Sequence, residues 1–274
     1  MYGGDSADEK VLIPRTEIID AHGISVDLND PDKLYVATHE GLFYITKDVL
    51  FKMGNSDYDL MGFTAHPSNP TVFYSSGHSP RAGNLGFQIS EDGGFTWKKV
   101  SNGIRGPVDF HVLSADAALL GIFYGWYDGK LQKSDDEGKT WELLSPDLPD
   151  PISFIPHPKK NGDLYAVTLN GIYLSMDSGE KWIVAFPELK SAGATALAID
   201  PANPDNMLVF SRKFGLQKSA DSGKTWQNIS ETLGGGIAIH ITIAKKDPNT
   251  AYIVTHAYKI YKSTDAGNTW EKIF

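Results

Sequence analysis

The chain has no cysteine, which excludes disulfides, thiolate metal sites and a cysteine nucleophile together. It also lacks any apolar run near the roughly 18 residues of a membrane-crossing helix, so no membrane span is expected. Basic residues are scarce: 25 Lys and Arg face 34 Asp and Glu, for a formal net charge of −9. A nucleic acid or an anionic lipid surface needs a basic face to offset its phosphates, so neither is expected as a partner. The one glycine run, Gly234-Gly235-Gly236, precedes no helical pattern, which argues against a phosphate loop. The absence of cysteine agrees with an extracytoplasmic setting, periplasmic, secreted or at the cell surface, and no signal segment is visible in the sequence.

What the chain does have is repetition. The phrase Ser-x-Asp-x-Gly-x-Thr-Trp begins at Ser90, Ser134, Ser175, Ser219 and Ser263, and only the third copy departs at Thr, with Lys181. The closing tryptophans, Trp97, Trp141, Trp182, Trp226 and Trp270, lie 44, 41, 44 and 44 residues apart. A period of about 40–45 residues is that of a four-stranded propeller blade. Each unit carries a short apolar strand, an Asn/Asp/Pro turn, a second strand rich in Tyr and Val, and a third strand that runs into the phrase. Repeat four reads Ile152 to Ile155, then Leu164 to Val167, then Ile172 to Ser175.

Six such units begin near His22, Met61, Asp109, Ile152, Thr195 and Ile239. The first lacks Gly and Trp at its collapsed phrase, Thr46-Lys47-Asp48, as terminal repeats often do. The expectation is an all-β, six-bladed β-propeller of four-stranded antiparallel blades over residues 21–274, after an extension over residues 1–20. Residues 9–19 can add an edge strand, and the last repeat holds four strands of its own. Within the phrase, Asp accepts turn N–H groups, Gly supplies a positive φ, and Trp buries a large ring between sheets. These roles are structural.

Blade topology sorts the histidines. His66 and His157 precede Pro in first turns, on the side of the repeated phrase, and read as turn residues. His22, His111 and His240 stand at first-strand starts, and His39, His78 and His256 near second-strand ends, all on the opposite face. Neutral imidazole is the commonest protein ligand for zinc and copper, and a thioether such as Met61 biases a site toward copper. The candidate metal ligands are His22, His39, His78, His111 and His240, for copper or zinc; the alternative is an ordinary polar channel lining. Candidate ligand-binding residues on the same face are Arg81, Arg105, Arg212, Asp109, Trp126 and Tyr127, since exposed Arg and aromatic side chains anchor recognition.

The repeated phrases resemble the Asp-box (BNR) repeat family, found in sialidases, xyloglucan hydrolases, sortilin-type receptors and photosystem II assembly propellers. Ala37-Thr38-His39-Glu40-Gly41-Leu42-Phe43, Met61-Gly62-Phe63-Thr64-Ala65-His66-Pro67 and Gly106-Pro107-Val108-Asp109-Phe110-His111 are similar to small exported propellers of bacteria and archaea that carry a glycosylhydrolase label. The resemblance implies Asp-box hairpins and, for sialidases, an arginine triad that holds a carboxylate. The amino-terminal Arg-Ile-Pro phrase of sialidases is missing, because Ile13-Pro14-Arg15 has the wrong order. Tyr124, Tyr127, Glu40, Asp109 and Asp128 form no recognisable acid and nucleophile pair. The reading is therefore a monomeric binding or assembly module for a protein or a small anionic or carbohydrate ligand, with no catalytic residue assigned. The alternative is a sialidase-like glycoside hydrolase.

Overall fold

The computed structural model describes residues 10–47, 49–144, 146–229 and 233–274. It contains six antiparallel sheets, each built on four main strands in sequence order; in blade two a short strand, Gly83–Asn84, intervenes and pairs with the second strand. Blade one comprises Gly23–Val26, Lys33–Thr38, Gly41–Thr46 and Val49–Met53. The first strands of blades two to six are Asp59–Ala65, Val112–Ala115, Ser153–Pro156, Ala194–Ile199 and Ala238–Ile243. Each first strand touches the next, and the sixth returns to the first, so the ring closes around a central channel. The chain is a six-bladed β-propeller. Among the described residues the only helical segment is the turn Pro187–Leu189.

Closure needs no exchanged strand, because blade six supplies Ala251–Thr255, Ile260–Ser263 and Glu271–Lys272 itself. The seam is apolar: Leu34, Val36, Phe43 and Ile45 of blade one meet Tyr252, Val254 and Ile260 of blade six. The Tyr252 hydroxyl then donates to the Pro31 carbonyl at 2.8 Å. Leu12–Arg15 pairs with Val49–Met53 and extends blade one outward, as expected for an edge strand. Asp48, part of the collapsed first phrase, lies outside the described residues.

The five repeated phrases form the turns between third and fourth strands. In every copy the serine hydroxyl donates to the aspartate at 2.8–2.9 Å, and the glycine N–H donates to that serine oxygen at 2.8–2.9 Å. Where threonine is present its hydroxyl reaches the other carboxylate oxygen at 2.7 Å. Glycine is required twice over. At Gly138 φ is +78°, and a Cβ would stand 2.1 Å from the Phe87 ring of the preceding blade. Trp270 is buried, whereas Trp97, Trp141, Trp182 and Trp226 are half-buried.

These bonds make stability depend on acid. The Thr225 hydroxyl above all holds Asp221 down to about 2, and the Thr269 N–H does the same for Asp265. Carboxylates with lowered pKa stabilise the fold above their ordinary value of 3.8, and that contribution disappears as pH falls toward about 2. Stability to urea is therefore expected to drop steeply between those two values. Asp92→Ala leaves the Phe95 and Thr96 N–H groups without their acceptor and should cost about 1–3 kcal/mol. Equilibrium urea unfolding at pH 7 checks it, and a variant as stable as the parent would contradict this account of the turn.

Candidate functional site

Blade stacking brings seven titratable side chains together at one mouth of the channel: Asp20, His22 and His39 from blade one, Asp59 and His78 from blade two, and Asp109 and His111 from blade three. Two local devices place them. The first is the start of each first strand. Counting back six residues from the last paired residue of the first strands (Val26, Ala65, Ala115) gives Asp20, Asp59 and Asp109; counting back four gives His22, Met61 and His111. The same counts in blades four to six give Asp150, Gly193 and Ile237, then Ile152, Thr195 and Ile239. An Asp-x-His or Asp-x-Met unit is thus confined to blades one to three. A channel mouth lined with polar residues for solvation alone would not favour one half of the ring.

The second device is the turn after the second strand. In blade one the Thr38 hydroxyl donates to the Gly41 carbonyl at 3.0 Å and accepts the Glu40 N–H at 3.0 Å, with Gly41 at φ +111°. Blade four builds the same turn from Thr168, Asn170 and Gly171, with Leu169 in the place of His39. The turn does not need the imidazole. Its presence at His39 therefore calls for another explanation, and the cluster supplies one.

The cluster alternates carboxylates with imidazoles. His39 Nδ1 contacts Asp20, and His39 Nε2 lies 3.2 Å from Asp59 Oδ2. His78 Nε2 lies 3.4 Å from the same Asp59 oxygen, and its Nδ1 is 3.0 Å from Asp109 Oδ2. His22 Nε2 stands 3.1 Å from Asp20 Oδ2 and 3.5 Å from Asp59 Oδ1, with its ring edge-on to His39 at a centroid separation of 4.3 Å. His111 Nε2 is 3.8 Å from Asp109. The carboxylates are buried, Asp59 being only 3% exposed, whereas the imidazoles of His39, His78 and His111 open to solvent.

Burial governs the carboxylates in opposite ways. Burial alone would raise Asp20, but the His22 and His39 donors and their charges outweigh it and leave its pKa lowered. Asp59 goes up, because burial, with Asp109 close by, outweighs the pull of His22, His39 and His78. Both Asp59 oxygens, Asp20 Oδ1, Asp109 Oδ1 and His22 Nε2 are buried without an aligned hydrogen bond. Buried carboxylate oxygens left this way are costly unless a cation or proton completes them. The donor atoms of Asp20, His22 and His39 all lie within 4.8 Å of one another, which is ligand spacing for a single ion.

Of the residues singled out in the sequence, His22, His39, His78, His111 and Asp109 come together here. His240 does not join them. It stands one position past Ile239, the counterpart of His22, and its Nε2 contacts the Ala21 carbonyl at 3.1 Å. Burial pulls its pKa down to about 4. His256 is exposed and its Nδ1 accepts the Ile237 N–H at 3.3 Å. His66 and His157 accept paired turn N–H groups at 3.0–3.1 Å, the task Asp27, Asp116 and Asp200 perform elsewhere.

Trp126 is a correction: it is 9% exposed and packs against Phe154 between blades three and four, so it offers no surface for a ligand. Tyr127 accepts the Asn84 amide at 3.1 Å. Arg81, Arg105 and Arg212 are exposed; Arg81 lies 4.0 Å from Asp57, and the other two have no ion pair among the described residues. Asp20 and Asp59 went unrecognised in the sequence, though the Asp-x-His and Asp-x-Met spacing shared with Asp109 was a usable signal. Below the mouth, the channel encloses about 360 Å³, lined by His22, Met61, His111 and His240 and deeper by apolar side chains such as Val26, Leu113 and Ile241.

A family model described as "Sortilin, neurotensin receptor 3" matches residues 215–274. An oligoxyloglucan-reducing end-specific xyloglucanase of Emericella nidulans is 24% identical over 75% of the chain and 34% of its own length. The chain thus spans about a third of that relative. A xyloglucanase from Xanthomonas campestris superimposes with a TM-score of 0.59 at 17% identity, over 92% of this chain and 47% of that one. A structure described as YCF48 bound to D1 peptide gives 0.59 at 15% identity, over 98% and 86%. At these identities the solved structures speak for the fold. No helix among the described residues is long and apolar enough to cross a membrane.

Proposed function

We propose that this six-bladed propeller, related in fold to the sialidase and sortilin-type propellers, is an extracytoplasmic binding module whose working element is a divalent transition-metal centre at the channel mouth. The observation that carries the reading is the convergence of Asp20, His22 and His39 within ligand spacing beside the unpartnered Asp59 carboxylate. Imidazole and carboxylate donors suit zinc, and Met61 in the channel wall below adds a thioether that suits copper. Because the imidazoles open to solvent, the bound ion keeps room for an outside donor, as in sites that do more than hold a fold together. Exposed Arg81, Arg105 and Arg212 on the same face favour an anionic ligand, an acidic carbohydrate or a partner's carboxylate.

Titration calorimetry with Zn²⁺ and Cu²⁺ tests the reading. Stoichiometric binding is expected at pH 7, and it should be lost on acidification, since protonated imidazole cannot ligate. No heat with either ion would remove the metal centre and leave a polar channel mouth.

Glycoside hydrolysis is the second reading, and the xyloglucanase similarity favours it over a purely binding role. Asp20, Asp59 and Asp109 provide the carboxyl groups that such chemistry requires. Release of reducing ends from xyloglucan oligosaccharides, abolished by Asp109→Asn, would promote this reading over the first. Unchanged substrate would leave carbohydrate as a ligand at most.

A further inference from the structure

Resting on the metal reading above, the geometry points to which atoms hold the ion. We propose that its centre is Asp59, with the Nε2 atoms of His22, His39 and His78 completing a three-histidine, one-carboxylate site that spans blades one and two. Asp20 and Asp109 then act as positioning residues behind the imidazoles.

Three distances carry the assignment. The Nε2 atoms of His22, His39 and His78 stand 3.5, 3.2 and 3.4 Å from Asp59 oxygens. Donors on a tetrahedral ion with bonds of about 2.0–2.1 Å are about 3.3 Å apart, which is the distance of each imidazole from an Asp59 oxygen, His22 at Oδ1 and His39 and His78 at Oδ2. Binding would then draw the three Nε2 atoms together, since only Asp20, His22 and His39 already have donors within 4.8 Å of one another. None of these three contacts is aligned as a hydrogen bond, and Asp59, 3% exposed, has neither oxygen satisfied. A shared cation between the groups accounts for both facts.

The far sides of the rings agree. His39 Nδ1 contacts Asp20, and His78 Nδ1 contacts Asp109 at 3.0 Å. A ligating imidazole generally passes its other N–H to a carboxylate, which fixes the tautomer and the ring plane. With Nε2 on the metal, both rings have that carboxylate behind them. The alternative, an ion held by Asp20, His22 and His39 Nδ1, uses no residue of blade two and leaves Asp59 bare at its side. Asp20 is also already supplied, because it accepts the His39 N–H at 2.6 Å.

Co²⁺ is the probe, since its visible spectrum reports coordination number and its X-ray absorption counts imidazoles. The full chain should bind one Co²⁺ with an intense four-coordinate spectrum and three imidazoles. Asp59→Asn should lower affinity by more than about 100-fold, while Asp20→Asn and Asp109→Asn keep one ion at 10–100-fold weaker affinity. His78→Ala, at a half-exposed side chain, should drop the count from three imidazoles to two. Wild-type affinity in Asp59→Asn, or an imidazole count untouched by His78→Ala, would overturn the assignment while leaving a metal site at Asp20. Failure of the parent chain to bind Co²⁺, Zn²⁺ or Cu²⁺ would instead remove the metal reading itself.

Discussion

His39→Leu should abolish tight Zn²⁺ binding, lowering affinity by about 100-fold or more, while costing only the modest stability that the His39 contact with Asp20 supplies. The substitution copies blade four, where Leu169 occupies the same turn between Thr168 and Gly171 with the same hydroxyl bonds. Thr38 and Gly41 therefore keep their geometry and only the imidazole is lost. Loss of an outer group behind a ligand already costs 10–100-fold, so loss of a ligand should exceed that range. Calorimetry for affinity and a thermal melt for stability separate the two effects. Unaltered affinity would show that His39 is no ligand; a large fall in melting temperature would show that it serves the turn after all.

Gly77→Ala should unfold the protein several degrees earlier and weaken metal binding with it. A Cβ on Gly77 would stand 1.8 Å from the Asp59 carbonyl oxygen and 3.1 Å from the Met61 nitrogen. That oxygen is backbone and cannot swing aside, so the start of the first strand of blade two must move. The bulge between Asp59 and Gly62 lies at this spot. A forced shift of buried backbone belongs with the severe substitutions, at roughly 3 kcal/mol or more. For a chain of this size that is about 6–12 °C in melting temperature. Because Asp59 rides on the displaced segment, Zn²⁺ affinity should fall in the same variant. A melt within about 2 °C of the parent would contradict the close approach of these two strands.

The blades were legible because their signal is local and repeated. Ser219, Asp221, Gly223 and Thr225 bond to one another within a single turn, so the phrase announces its own structure. The count of six blades and a last blade with its own four strands followed from those spacings. The cluster was legible in part. Strand topology alone put His22, His39, His78 and His111 on one face, and the structure brings them together through three carboxylates, of which the sequence reading named only Asp109. Asp20 and Asp59 were not singled out, because the Asp-x-His and Asp-x-Met spacing marks their place in the blade but not their burial. Their burial comes from the stacking of blades one to three, whose first strands lie side by side. His240 stands apart for another reason: it lies one residue further along its first strand than His22 and His111 do on theirs. Trp126 looked available because it ends a strand, but the neighbouring Phe154 covers it.

The most direct measurement is an anomalous difference map from a crystal of the full chain grown or soaked with Zn²⁺, recorded at the zinc edge. The account predicts one strong peak at the channel mouth, about 2.0–2.2 Å from Asp59 and from the Nε2 atoms of His22, His39 and His78. No peak at the mouth, with signal only at surface residues such as His256, would contradict it.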